Sequence, residues 1–69
     1  MVRDANGNIL RIGDIIKLNL GMTVYGYRYG QIHGISGENV YIDVFATDEI
    51  ITVHRYGSEL VLAFTKLQE

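Results

Sequence analysis

The sequence contains no cysteine, so neither a disulfide bond nor a thiolate-bound metal can add to the stability of the fold. Its 69 residues predict a single domain, near the lower size limit for a chain that folds alone. A domain of this size buries only about 60% of the surface that its unfolded chain exposes. The core must therefore come from aliphatic and aromatic side chains, which the apolar content of 48% allows.

Long apolar runs are also missing from the chain. The longest uninterrupted one, Leu60–Phe64, is far too short to span a bilayer. Residues 1–4 are not followed by the apolar run that a secretory signal requires. Together with the absence of cysteine, these features predict a cytoplasmic protein that makes no membrane contact.

The chain has no surplus of positive charge. Its formal net charge of −2 disfavours strong non-specific binding to nucleic acid, because such binding needs excess Lys and Arg facing the phosphates. Residues 1–35 carry four basic and two acidic side chains, whereas residues 36–69 carry two basic and six acidic ones. Because the two halves interleave in a compact barrel, we do not expect this asymmetry to persist as a surface patch.

The first quarter of the chain predicts a turn, a corner and a strand. Asn6-Gly7 is a strong signal for a two-residue hairpin turn of type I′, since both residues tolerate positive φ. Gly13-Asp14 then forms a corner that leads into an alternating run. Ile16, Leu18 and Leu20 alternate there with polar residues, which predicts a half-buried strand that ends at Gly21.

Three further strands are predicted from residue 31 to residue 53. Ile32 and Ile35 have an odd spacing, so both can enter the core only if a β-bulge lies at Gly34. The segment 40–45 is the cleanest period-two stretch, with Val40, Ile42 and Val44 on one face and Tyr41, Asp43 and Phe45 on the other. Ile51 and Val53 continue on a fourth strand.

The last part of the chain predicts a short turn and a fifth strand. Residues 56–59 are interpreted as one 3₁₀ turn or β-turn, and Leu60, Leu62 and Phe64 form the strand, followed by a frayed tail at residues 65–69. A helix over residues 58–68 is the alternative, although its apolar run leaves it no polar face. Five short strands about ten residues apart predict an all-β fold, a small five-stranded SH3-like barrel.

Two short segments resemble known bacterial barrels. Residues 2–10, followed by Gly13-Asp14, resemble the start of the C-terminal barrel domain of the alkylphosphonate-operon (PhnA-like) family, and residues 57–61 are similar to its closing segment. Residues 22–56 do not follow that family. Residues 30–35 are similar to the short motif of KOW-type barrels. Both resemblances imply an SH3-like barrel, and neither family supplies catalytic residues.

The segment 25–30, Tyr-Gly-Tyr-Arg-Tyr-Gly, has the strongest binding character. If it is extended, Tyr25, Tyr27 and Tyr29 share one side and Arg28 lies on the other. Tyrosines anchor protein interfaces, and they also stack on unpaired bases. The alternative is that one or two of them cap the barrel core. The predicted partner-binding residues are Tyr25, Tyr27, Arg28, Tyr29 and His33.

Other chemistry has weaker support in the sequence. His33 and His54 could ligate a metal together with Asp43, Asp48 or Glu49, but their spacing does not create a pre-aligned ligand pair. Serine, histidine and carboxylate side chains are too common for their presence to indicate catalysis. The acidic side chains are interpreted as a solvated face: Asp43, Asp48, Glu49 and Glu59. We expect no metal, no cofactor and no catalytic residue.

The sequence therefore favours a small non-enzymatic module that binds a protein partner through the tyrosine segment. Short, cysteine-free chains of this kind are common among the accessory proteins of bacteria and their phages. A nucleic-acid-binding barrel that uses the same tyrosines with Arg11, Lys17 and Arg28 is the first alternative. A structural subunit of a larger assembly is the second. An enzyme is disfavoured, because so small a barrel has little room for a pocket of about 300 Å³ or more.

Overall fold

The computed structural model describes residues 1–65, so the predicted frayed tail lies, apart from Thr65, outside the described residues. Five strands form one antiparallel sheet: β1 (Ile15–Leu18), β2 (Tyr29–Ser36), β3 (Asn39–Val44), β4 (Ile51–Tyr56) and β5 (Leu60–Phe64). Their order in the sheet is β4-β3-β2-β1-β5, so β4 and β5 are its two edges within the described chain. The all-β prediction is confirmed, and hydrogen bonding between the described strands leaves the sheet open.

The core lies on one face of this sheet, which we call the inner face. Alternate residues of β1 and β3 point into it, and Leu18, Val40 and Ile42 are fully buried. Burial of one such side chain contributes about 1.5–3 kcal/mol. The predicted continuation of the first strand to Leu20 is wrong, because β1 ends at Leu18 and Leu20–Met22 form a 3₁₀ turn. The buried apolar residues of the described chain are Val2, Leu10, Ile16, Leu18, Ile32, Val40, Ile42, Val44 and Leu60. The opposite, outer face carries Ile15, Lys17, Tyr29 and their cross-strand neighbours.

β2 contains the predicted β-bulge, with the additional residue one position before the predicted Gly34. Ile32 pairs with Ile42 and Gly34 pairs with Tyr41, which leaves His33 as the additional residue of the bulge. Ile32 is consequently buried, and Ile35 packs against the core from the other side of the bulge. The odd spacing of the two isoleucines therefore matches the geometry of the strand.

A second bulge, in β5, was not predicted. Ile16 pairs with Leu62 but Ile15 pairs with Phe64, so Ala63 is additional in the ladder. The extra residue moves Phe64 onto the outer face, where 69% of its surface is exposed. The expected alternation of the last strand thus fails at Phe64. The helical alternative for residues 58–68 is also wrong over the described residues, because β5 occupies Leu60–Phe64.

The N-terminal residues form a hairpin whose loop differs from the predicted one. Gly7 has φ +86°, its N–H donates to Asp4 O (3.1 Å), and Asp4 N–H donates to Asn8 O (2.8 Å). The central turn residues are therefore Ala5 and Asn6, and Gly7 follows them with positive φ, as in a three-residue hairpin loop. A type I′ turn centred on Asn6-Gly7 is wrong.

Asp4 explains the choice of loop and joins the hairpin to the sheet. Its buried carboxylate accepts hydrogen bonds from the N–H groups of Asn6 (2.9 Å), Asn8 (2.7 Å) and Leu62 (2.7 Å). Burial raises the pKa of Asp4, but the hydrogen bonds from Leu62, Asn8 and Asn6 outweigh it and hold this pKa below its usual value. The carboxylate therefore stabilises the hairpin and β5 together.

The remaining connections close the two ends of the core. Asp14 accepts a hydrogen bond from Arg11 N–H (2.9 Å) at the predicted corner before β1. The predicted 3₁₀ turn is confirmed at Gly57–Glu59, where Glu59 Oε1 accepts from Tyr56 N–H (2.8 Å). Arg55 in β4 donates a hydrogen bond from Nη2 to Met22 O (3.3 Å). This bond connects β4 to another 3₁₀ turn, Leu20–Met22. No helix in residues 1–65 has the length and apolar character needed to cross a membrane.

Candidate functional site

A groove of about 510 Å³ lies at one end of the outer face. Its walls come from four distant parts of the chain: the residues before β2, the start of β1, the end of β3 and the end of β5. The lining residues are Ile15, Gly26, Tyr27, Arg28, Tyr29, Phe45 and Phe64. The groove is larger than the sequence analysis allowed for so small a fold, because it is formed on the surface of the sheet and not inside it.

The tyrosine segment reaches this groove through a tight turn. Tyr25 and Gly26 have φ values of +50° and +84°, and Val24 and Tyr27 exchange two backbone hydrogen bonds of 3.1 and 2.8 Å. This is the two-residue hairpin with positive φ at both central positions that was expected at Asn6-Gly7. The segment is therefore not extended through Tyr25, and the three tyrosines do not share one side. Tyr25 projects from the tip of the turn with 86% of its surface exposed.

Tyr27 connects the core to the loop after β3. Its ring packs against the core, and its hydroxyl is 3.0 Å from Thr47 Oγ1. Hydrogen bonds from the side chain and the backbone N–H of Thr47 hold the pKa of Tyr27 below its usual value, against the opposing effects of burial and of the Glu49 carboxylate. Tyr27 thereby fixes the loop after β3 beside the groove. It matches the alternative role, that of a tyrosine which caps the core.

Tyr29 and two phenylalanines form the apolar walls of the groove. Tyr29 begins β2, and its carbonyl oxygen accepts a hydrogen bond from Phe45 N–H (2.9 Å), which places the two side chains near each other. The exposed fractions are 43% for Tyr29, 51% for Phe45 and 69% for Phe64. Tyr29 was predicted as a binding residue, whereas neither phenylalanine was. Phe45 had a usable signal, since it alternates with the buried residues of β3 and so must point outward.

One cationic side chain, that of Arg28, lines the groove, and a second, that of the half-buried Lys17, lies on a neighbouring strand outside the lining. Arg28 is exposed and belongs to its lining, and Lys17 is the cross-strand partner of Tyr29. Within residues 1–65, neither side chain has an ion-pair or hydrogen-bond partner. Arg28 was predicted as a binding residue, and Lys17 was predicted only for binding nucleic acid.

His33 belongs to a different part of the outer face. It lies four residues beyond Tyr29 on β2, about 13 Å along an ordinary strand, and does not line the groove. Its Nδ1 is 3.0 Å from Asp43 Oδ1, which also accepts a hydrogen bond from Thr52 Oγ1 (3.0 Å). The ring of Tyr41 lies between the rings of His33 and His54, at centroid distances of 6.3 and 5.8 Å. The structure thus does not bring His33 together with the tyrosine segment.

In the part of the chain that the structure describes, no group of three or more histidine, cysteine or carboxylate side chains is placed to hold a metal ion. No protein-family model, curated protein or solved structure significantly matches the chain. The resemblances to the alkylphosphonate-operon barrel and to KOW-type barrels therefore stay predictions from the sequence.

Proposed function

We propose that this protein is a small non-enzymatic binding module of SH3-like topology, which engages a protein partner through the aromatic groove. The strand order supports the topology. β1 to β4 follow one another as neighbours, and β5 returns beside β1 after a single 3₁₀ turn. The edge strands β4 and β5 lie on either side of that turn, as closure into a small barrel requires.

The observation that carries the functional proposal is the joint exposure of Tyr29, Phe45 and Phe64 around one groove. Apolar side chains scattered singly over a surface need no explanation, whereas three exposed aromatic side chains around one groove support a contact site. Aromatic side chains are also the residues most enriched at the centres of protein interfaces. Because Phe45 and Phe64 are at least half exposed, the groove is shallow, which suits a protein segment better than an enclosed small molecule.

The test is affinity isolation of the tagged protein from nuclease-treated bacterial lysate that also contains the untagged chain, read by mass spectrometry. A Phe45→Ala/Phe64→Ala variant removes two walls of the groove. Ile12→Ala is the matched control, since Ile12 is an exposed apolar residue outside the groove (56% exposed). We expect the control to capture the partner as the original chain does. The amount captured by the double variant should fall more than about tenfold.

The proposal fails if the double variant, folded by circular dichroism, captures the same proteins as the control in equal amounts. It also fails if neither the original chain nor the control enriches any protein over the resin alone.

One observation favours a nucleic-acid-binding function as the second candidate. The rings of His33, Tyr41 and His54 lie on three adjacent strands of the outer face, and such a row provides stacking surface for unpaired bases. Binding would show as increased fluorescence anisotropy of labelled oligothymidylate, weakening steeply between about 50 and about 200 mM salt. No anisotropy change at the lower salt concentration removes this candidate.

A further inference from the structure

The groove is apolar apart from one cationic side chain in its lining, that of Arg28. Lys17 lies opposite Tyr29 on a neighbouring strand, and neither of these two cations has a charged partner within residues 1–65. An exposed cation is well solvated, so its lack of a partner costs little in the free protein. A bound molecule that covers the groove would remove part of that water. A carboxylate would then pair with Arg28, and an apolar side chain would fill the space between the aromatic walls.

The same chain exposes a segment with this chemistry. Ile50 is 94% exposed, which is almost the whole of its side chain, and it directly follows Asp48 and Glu49. This segment, residues 48–50, leaves a large aliphatic side chain in water beside two carboxylates. Neither acidic side chain has an ion-pair or hydrogen-bond partner within the described residues. The segment offers an exposed aliphatic side chain and two carboxylates, and the groove offers aromatic walls and a cation. The two are therefore complementary in polarity and in charge.

The segment 48–50 lies close to the groove of its own chain, so two copies can each place this segment over the groove of the other. The loop that carries residues 48–50 begins at Phe45, a wall of the groove, and is fixed beside it by the bond between Tyr27 and Thr47. Glu49 is close enough to oppose the ionisation of Tyr27. A two-fold axis between groove and segment would place the segment of each copy over the groove of the other. In such an isologous contact both complementary pairs form at once.

We propose that the groove binds a second copy of this chain, with Ile50 of one copy between the aromatic walls of the other and Glu49 paired with Arg28. This inference rests on the proposed function, since it names the protein that the groove engages. The surface involved is small, so the dimer is weak, with a Kd between about 10 μM and about 1 mM.

The experiment is sedimentation equilibrium of the purified chain up to about 1 mM, with variants on each side of the contact. We expect Ile50→Ala, Glu49→Arg and Arg28→Glu each to raise the Kd more than about tenfold. Combining Glu49→Arg with Arg28→Glu restores opposite charges across the contact and should return the Kd to within about threefold of the original. Ile12→Ala, outside the groove, should leave it unchanged.

A monomer at every concentration overturns the inference, as does a dimer whose Kd is insensitive to Ile50→Ala and to the charge changes. The proposed function is tested separately by the affinity isolation. Suppose that the chain is monomeric, captures some other protein, and no longer captures it when the groove is substituted. That result would overturn the second-copy inference and leave the proposed function standing.

Discussion

The two faces of the sheet carry apolar side chains in opposite situations. On the inner face, Ile16, Ile32 and Ile42 are at most 1% exposed, whereas on the outer face Tyr29, Phe45 and Phe64 are 43–69% exposed. The buried residues contribute directly to the free energy of folding. The exposed aromatic residues contribute much less, because they leave most of their surface in water. The difference in burial assigns stability mainly to the inner face and leaves the aromatic groove as the proposed binding site.

A large loss of folding stability is expected from a substitution on the inner face at Gly30. A Cβ atom there would lie 2.5 Å from Ile42 Cγ2 and 2.7 Å from the Asp43 carbonyl oxygen. We expect Gly30→Ala to lower the free energy of unfolding by about 1–3 kcal/mol or more, because the backbone of β3 must move to make room. A loss of that size is a large part of the roughly 3–5 kcal/mol that a domain this small possesses.

The matched control for this change is Gly21→Ala, where nothing lies within 4 Å of an added Cβ atom. Urea unfolding followed by circular dichroism measures both variants. Equal stability of the two alanine variants would contradict the close packing of β2 on β3.

The second prediction concerns the buried carboxylate that joins the N-terminal hairpin to β5. Replacing Asp4 with Asn keeps its shape but puts a donor where the carboxylate accepts, so we expect a loss of about 1–3 kcal/mol at neutral pH. The pKa of Asp4 is lower in the folded than in the unfolded state. Its contribution is therefore fully present above the unfolded pKa and is lost as the pH falls through the folded pKa.

Urea unfolding at a series of pH values tests this dependence. The original chain should lose stability below about pH 4, and Asp4→Asn should lose less over the same interval. Parallel curves for the two proteins would show that Asp4 does not contribute to the acid sensitivity.

Those buried positions also show how far the sequence determined the fold. Alternation in residues 40–44 predicted the buried side of β3, and the odd spacing of Ile32 and Ile35 predicted a bulge. Both predictions rest on the two-residue period of a strand, which is a local property. The turn prediction failed at Asn6-Gly7 because the carboxylate of Asp4 binds the loop N–H groups and favours a longer loop.

The groove was only partly predictable, for a related reason. Tyr27, Arg28 and Tyr29 are adjacent in sequence and carried a visible signal. Phe64 enters the groove because Ala63 is additional in the pairing of β5 with β1, and nothing local in the sequence marks that bulge. Ile15 and Phe45 join it only through strand pairing. Residues from distant segments cannot be assigned to one site before the register of the sheet is known.

A smaller effect is expected at the tip of the tyrosine turn. Tyr25 has φ +50°, a conformation that glycine adopts without strain, and its side chain projects into solvent outside the groove. We expect Tyr25→Gly to change the free energy of unfolding by no more than about 1 kcal/mol and to leave partner binding unchanged. Loss of binding in this variant would extend the site beyond the groove to the tip of the turn.

The most direct test of the division between the two faces measures stability and binding on the same Phe45→Ala/Phe64→Ala protein. We predict a change in the free energy of unfolding of less than about 1 kcal/mol per substitution, since both side chains are at least half exposed, together with loss of partner capture. A variant that unfolds would show that the outer aromatic residues are part of the structural core. A stable variant with undiminished capture would contradict the groove as the binding site.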